Sequence, residues 1–210
     1  MLAASEDKED IVIELLNHGA DTLLATKLEG YTLFHHLVVS AGKKNLLMVG
    51  IMDNYFIPWS SEFPQNKLAK CFCICFFQKV LEHNNVKQSA ALNSKDNLGD
   101  TPACLAAKME NYEVLKSLKE AGANLDTVNN ENKNPLYYLV EKGVTLPVRH
   151  FCEFNKEGLI FKYDDPNGES QKLSILHIAV KEGNAEVATV LLENNVPVDI
   201  KYDFLISFSR

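Results

Sequence analysis

The stretch DNLGDTPACLAAKMENYEVLKSLKEAGANLD (residues 96–126) contains the local signals of one complete supersecondary unit. Gly99 lies in a polar segment, where a residue without Cβ can adopt the positive φ of a tight turn. Thr101 can cap a helix through its hydroxyl group, and Pro102 suits the first helical position, which needs no N–H donor. These residues predict a turn that leads directly into a helix.

Two helices are predicted after this turn. Leu105, Ala106 and Ala107 give the first helix a face of small residues, so that a neighbouring helix can approach closely. Asn111 is expected to end this helix, and Gly122 is expected to end the second one in the left-handed conformation. The second helix is predicted to be amphipathic, with Val114, Leu115 and Leu118 on one face and Lys116, Lys119 and Glu120 turned outward.

A unit of this size cannot bury its apolar faces alone, which predicts stacking of several copies. The unit resembles the ankyrin repeat. Cys104 stands where that family usually has histidine, so the usual threonine–histidine hydrogen bond is expected to be absent from this copy. The resemblance implies an all-α, ankyrin-type solenoid of stacked helix-turn-helix repeats with short hairpin-like loops. It is carried by Gly99, Thr101-Pro102, Leu105-Ala106-Ala107, Val114-Leu115, Leu118 and Gly122-Ala123-Asn124.

Four other stretches align with this unit. In the first copy, residues 11, 12 and 15 precede residues 114, 115 and 118 by 103 positions, but the opening turn is missing. Either a preceding repeat has been lost or this end of the array is frayed. In the second copy, His35 occupies the usual histidine position. In the fourth, Asn132 replaces the turn glycine and Asn155 is expected to take the left-handed glycine position, a role that Asn195 is expected to fill in the fifth.

The copies predict an array over residues 1–201, with four full repeats and one partial repeat. The second copy carries an insertion, residues 49–78, because residues 45–48 joined to 79–84 align with 113–122 without a gap. Its end residues are compatible with splice-site codons, so it is either a genuine insertion or a retained intron. The predicted repeats are 1–24, 25–48 with 79–91, 92–127, 128–172 and 173–201, followed by a non-repeat tail at 202–210.

Composition limits the environment and the partners. The net charge of −7 disfavours nonspecific binding to nucleic acid or to an anionic membrane. Five irregularly spaced cysteines favour a reducing compartment. The N-terminus becomes acidic at once, unlike a secretory signal, and no apolar run approaches the ~20 residues of a spanning helix. We therefore expect a monomer in the cytoplasm or nucleus, with no membrane insertion and no nucleic-acid partner.

No catalytic, cofactor or metal site is expected. The alternating cysteines at 71, 73 and 75 lie near His83, but they lack the CxxC pairs typical of zinc sites. His35 and His177 each follow a helix-capping residue by three positions, where the family uses histidine for local hydrogen bonds. The aromatic residues Tyr55, Phe56, Trp59 and Phe63 would suit an interface if exposed, but all four fall within the predicted insertion.

The resemblance implies protein–protein recognition without catalysis, through the concave face of the array. One alternative is that the chain is a fragment or isoform of a larger ankyrin-bearing enzyme or channel, such as a tankyrase-like ADP-ribosyltransferase or a kinase. Another is a degenerate product without a function of its own. Carried over from the family, the predicted partner-binding residues are Asn97, Leu98, Asp100, Lys108, Met109, Glu110, Glu131, Lys133, Glu141, Lys142, Lys181 and Glu182.

Overall fold

The structure is a computed structural model, and it describes residues 2–6, 8–42, 76–83, 89–155, 159 and 174–196. Within these ranges every regular element is an α-helix, which confirms the predicted all-α class. The helices are α1 (Leu2–Ser5), α2 (Glu9–Asn17), α3 (33–42), α4 (76–82), α5 (Ser89–Leu92), α6 (Pro102–Lys108), α7 (Tyr112–Glu120), α8 (Pro135–Glu141), α9 (Thr145–Phe154), α10 (Ile175–Lys181) and α11 (Ala185–Glu193).

The helices form two layers. In the inner layer α6 packs on α8 and α8 on α10, while in the outer layer α7 packs on α9 and α9 on α11. Each inner helix also packs on the outer helix that follows it in the chain. The core lies between the layers and contains Phe34, Leu115, Leu139, Phe151 and Ile175, all almost fully buried. This is the stacking that the repeat pattern predicted.

The local signals of the third repeat, residues 96–126, act as predicted. The hydroxyl oxygen of Thr101 accepts a hydrogen bond from the Cys104 N–H at 3.3 Å, and Pro102 is the first residue of α6. Asn111 separates the two helices and caps α7, since its side-chain oxygen accepts from the Val114 N–H at 3.3 Å. Gly122 ends α7 with φ +96°.

Asparagine adopts the left-handed conformation at two of the three positions where we expected it. Asn132 and Asn195 have φ of 57° and 61°, as predicted. Asn155 instead has φ −132°, so the prediction of a left-handed residue there was wrong. Its buried side chain accepts a hydrogen bond from Lys119 Nζ at 3.3 Å and donates one to Asp126 Oδ1 at 3.4 Å. These contacts with the preceding repeat hold Asn155 in a different conformation.

The tips of successive hairpin loops are joined by backbone hydrogen bonds. The Asn97 N–H donates to the Glu29 carbonyl at 3.0 Å, and the Asn130 N–H donates to the Leu98 carbonyl at 3.1 Å. Gly99 allows this close approach: its φ is +77°, and a Cβ there would lie 2.7 Å from the Asn130 backbone nitrogen.

Helix α4 includes the last three residues of the predicted insertion. Phe76, Phe77 and Val80 are buried, and they precede Val114, Leu115 and Leu118 by 38 positions. The Phe77 ring contacts that of Phe34 edge-on, with 6.2 Å between centroids. The second helix of this repeat therefore starts before the predicted boundary at 78/79. The remainder of the insertion, with the cysteine and aromatic clusters, lies outside the described residues, as does the tail at 202–210.

Candidate functional site

A buried carboxylate, Asp100, organises the inner face of the third repeat. Its Oδ2 forms an ion pair with Lys108, and its Oδ1 accepts a hydrogen bond from Asn129 Nδ2 at 2.8 Å. The Asp100 side chain is fully buried. The prediction that Asp100 contacts a partner is therefore wrong, because neither oxygen reaches the surface and both have partners inside the protein.

Lys108 is held between this carboxylate and an aromatic ring. Its Nζ lies 4.6 Å from the centroid of Tyr138, and the hydroxyl oxygen of Tyr138 accepts from Asn129 Nδ2 at 2.7 Å. Burial lowers the pKa of Lys108, but the hydrogen bond and charge of Asp100 outweigh burial and leave that pKa above its ordinary value. Lys108 is therefore positively charged at neutral pH.

Asn129 and Tyr138 were not predicted from the sequence. The 33-residue spacing between the third and fourth repeats could have predicted Asn129, because it follows Asp96 by 33 residues and has the same role. Asp96 Oδ1 accepts from the backbone N–H groups of residues 98 and 100, and Asn129 Oδ1 accepts from those of residues 131 and 133. Each of the two side chains thus closes one hairpin loop.

Lys133 is the centre of a second charged group, in the fourth repeat. Its Nζ lies 3.1 Å from Glu141 Oε1 and 3.3 Å from Glu131 Oε2. The same nitrogen lies 4.9 Å from the ring centroid of Tyr137. Burial lowers the pKa of Lys133, but the hydrogen bond and charge of Glu141 outweigh burial and raise it to about 12.

An ion pair joins the third and fourth repeats. Lys142 Nζ lies 3.1 Å from Glu110 Oε1, and both side chains are well exposed. Glu110 lies two residues beyond the end of α6 and has φ 56°, and Lys142 directly follows α8 as its C-cap. Lys108 and Lys133 both lie near the Tyr138 ring, at 4.6 and 5.7 Å from its centroid. Together with the Glu110–Lys142 pair they make up a group of charges on the third and fourth repeats, which we call the inner ridge: Lys108, Glu110, Lys133, Glu141 and Lys142.

The other predicted contact residues lie around the inner ridge. At the loop tips, Leu98 and Glu131 are exposed, and Asn97 is exposed although its Nδ2 donates to the Leu28 carbonyl at 2.7 Å. Met109 is half-buried and packs against the core. At the end of α10, residues 181 and 182 are exposed. Nothing in the structure tests their role in binding.

The two histidines make the local hydrogen bonds predicted for them. The Thr32 N–H donates to His35 Nδ1 at 3.2 Å, so Nε2 carries the proton and donates to the Asp100 carbonyl at 3.0 Å. Burial lowers the pKa of His35. His177 Nδ1 likewise lies 2.9 Å from Ser174 Oγ. Both imidazoles therefore stabilise the start of an inner helix.

Two negative findings apply to the described residues alone. In that part of the chain no helix is long and apolar enough to cross a membrane. Over the same ranges, no group of three or more His, Cys, Asp or Glu side chains is placed to hold a metal ion.

Comparison with known proteins supports the resemblance. The family model "Ankyrin repeat" matches residues 98–130 and 171–203, which cover most of the third copy and all of the fifth. A Rickettsia bellii protein described as an ankyrin repeat protein is 36% identical over 67 residues, which cover 31% of this chain and 40% of that protein. The match thus spans less than half of the relative. Ankyrin repeats are modules for interaction between proteins. The chain therefore contains ankyrin repeats, at residues 98–130 and 171–203.

Proposed function

We propose that this protein is an adaptor without catalytic activity, which binds a protein partner through the inner ridge and the adjacent loop tips. One observation carries the proposal. The five charged side chains of the ridge come from two consecutive repeats, and none of them belongs to the apolar core. Because helix stacking fixes these two repeats relative to each other, the backbone that carries the ridge is ordered before a partner arrives, which reduces the entropy lost on binding.

The chemistry of the ridge indicates what kind of partner fits. Each lysine is paired with a carboxylate, so the ridge presents both signs of charge to a partner. The exposed pair of Glu110 and Lys142 contributes only about 0–1 kcal/mol, so a partner can replace this pair at low cost. The exposed Leu98 at the neighbouring loop tip offers an apolar contact. A protein segment with acidic, basic and apolar side chains fits better than nucleic acid, which would meet the carboxylates.

A charge swap tests the proposal while keeping the ion pair. The double variant Glu110→Lys, Lys142→Glu exchanges the two charges across the inner face. We expect it to fold like the wild type and to lose the proteins that the wild-type chain captures in quantitative proximity labelling. Charge repulsion across an interface also slows association, so binding to any identified partner should become more salt-dependent.

The outer face supplies a matched control. Arg149 Nη1 and Glu193 Oε2 lie 3.0 Å apart, join the fourth and fifth repeats and have similar exposure to the ridge pair. The double variant Arg149→Glu, Glu193→Arg should leave the captured set unchanged. Binding at the inner ridge would be contradicted if both double variants lost the captured proteins equally, or if neither variant lost them.

We also infer that the protein works in a reducing compartment, the cytoplasm or the nucleus. Cys104 and Cys152 are free thiols and both are buried. Burial raises the pKa of the Cys152 thiol to about 11, which keeps it protonated and unreactive in the folded protein. Such cysteines are typical of structural core positions.

A further inference from the structure

The inner helices α6, α8 and α10 end in charged residues of alternating sign. Each of these helices is seven residues long, and their last residues are Lys108, Glu141 and Lys181. Because α6 packs on α8 and α8 on α10, the three residues follow one another along the array, one in each repeat. We call them the helix-end series. Its charges are positive, negative and positive, and Lys181 extends the inner ridge into the fifth repeat.

The ion pairs within the repeats leave the helix-end residue as the member that a partner can reach. Lys108 is 30% exposed, whereas the side chain of Asp100, with which it pairs, is fully buried. The fourth repeat has the same pair with its signs exchanged, since Lys133 and Glu141 follow Asp100 and Lys108 by 33 residues. Glu141 is 36% exposed and Lys133 only 22%. The more exposed member of the pair therefore changes sign from the third repeat to the fourth.

The residues that follow these helices leave the alternation intact. Met109 and Lys142 are the C-caps of α6 and α8. Met109 is uncharged, and Lys142 is paired with Glu110 at 3.1 Å, so the helix ends set the sign in the third and fourth repeats. In the fifth repeat, Glu182 directly follows the exposed Lys181, so the charge there is the weakest of the three.

The spacing of the series fits one backbone conformation of a partner. Neighbouring helices pack about 8–10 Å apart. A polyproline II segment has about three residues per turn and rises about 3.1 Å per residue, so every third side chain points the same way at intervals of about 9 Å. Residues three apart in a β-strand point to opposite faces. An α-helix needs about seven residues for the same distance. Polyproline II is therefore the shortest segment that keeps one side chain opposite each repeat.

We propose that the partner contacts the helix-end series with a polyproline II segment that carries an acidic, a basic and an acidic residue at every third position. The two acidic residues face Lys108 and Lys181, and the basic residue faces Glu141. The charges of such a segment complement those of the series in either chain direction. This inference rests on the proposed function and specifies the partner at the same surface.

Two synthetic peptides of identical composition test the order of the charges. PPEPPRPPEPP has the proposed order, and PPEPPEPPRPP exchanges its last two charges. In NMR titrations of the purified full chain at low salt, the first peptide should bind at least about fivefold more tightly, because the second places like charges opposite each other at two positions. Equal affinities for the two peptides, or no binding of the first, overturn the proposal.

A double variant should give the converse preference. Glu141→Lys with Lys181→Glu changes the order of the series to positive, positive and negative, which matches the second peptide. The preference should then reverse, and a gain of affinity for the second peptide cannot result from misfolding. The outer-face variant Arg149→Glu, Glu193→Arg should keep the wild-type preference. A wild-type preference that persists in the first double variant shows that the peptides bind elsewhere, and it overturns the proposal.

The order of charges and the proposed function can fail separately. If the charge swap at Glu110 and Lys142 leaves the captured proteins unchanged, the proposed function fails, and this inference fails with it. If that swap loses the captured proteins while the two peptides bind equally, binding at the inner ridge stands and only the order of charges is wrong.

Discussion

The third and the first repeat carry almost the same pattern of apolar residues in their second helix. They differ most in how far neighbouring helices cover these residues. Val114, Leu115 and Leu118 of the third repeat are fully buried between two neighbouring repeats. In the first repeat, Val12 is buried, but Ile11 and Leu15 are about half exposed. The residue types are almost the same, so the difference comes from position in the array. In a solenoid, each repeat is stabilised by its interfaces with the repeats beside it.

Truncation of equivalent leucines gives the largest effect and tests this difference directly. Leu118→Ala leaves a cavity in a fully enclosed site, and we expect it to lower the free energy of unfolding by about 3 kcal/mol. Leu15→Ala removes a half-exposed side chain and should cost about 1 kcal/mol. Urea unfolding of the two variants and the wild type measures both. Equal costs would show that the first repeat is packed as tightly as the third.

The buried carboxylate is a second point of contrast. Asp100→Asn removes the charge that pairs with Lys108 inside the third repeat, and we expect it to cost about 2 kcal/mol of stability. In the first repeat, Asp21 Oδ1 accepts a solvent-exposed hydrogen bond from the Leu23 N–H at 2.8 Å. Asp21→Asn should therefore change stability by less than about 0.5 kcal/mol. Urea unfolding of the pair of variants decides whether burial of the ion pair matters.

Local signals allowed much of the fold to be predicted from the sequence. Thr101, Pro102 and Gly122 act through their own backbone conformation and the nearest turn, so their roles did not depend on the rest of the chain. The histidine roles were predictable for the same reason, since His35 and His177 bond to a helix cap three residues earlier.

Features that depend on contacts between repeats were not predictable in this way. Asp100 was predicted from the family resemblance to contact a partner, but its carboxylate accepts a hydrogen bond from Asn129 of the next repeat, whose amide also donates to the Tyr138 hydroxyl. Asn155 missed its expected conformation because Lys119 of the preceding repeat holds its side chain. In the second repeat, Leu46-Leu47 and Phe76-Phe77 both match the apolar pair Val114-Leu115 of the third repeat. The contact between Phe77 and Phe34 shows that Phe76-Phe77 lies in the second helix.

A smaller effect is expected from the N-caps of the outer helices. Lys8 before α2 and Asn111 before α7 have nearly identical backbone angles, φ −88°, ψ 80° and φ −91°, ψ 79°, but only Asn111 caps through its side chain. Asn111→Ala should cost about 1 kcal/mol, and Lys8→Asn should gain about 0.5–1 kcal/mol. Lys8 also pairs with Glu6 at 3.1 Å, but an exposed pair contributes little. If urea unfolding showed that Lys8→Asn is destabilising, residue 8 would not act as an N-cap position equivalent to Asn111.

The smallest expected effect is a local pH dependence that separates the third repeat from the second. Burial lowers the pKa of His35 below the ordinary value of 6.5, so the unfolded state binds more protons just below that pH. The contribution of His35 to stability is therefore complete above about pH 6.5 and declines as pH falls toward the folded pKa. At the equivalent position of the third repeat, burial raises the pKa of Cys104, which stays neutral over this range. Hydrogen exchange, corrected for intrinsic rates, should show that α3 loses protection relative to α6 between pH 7 and 5. His35→Gln should flatten that difference, whereas parallel loss in both helices would show that His35 does not cause it.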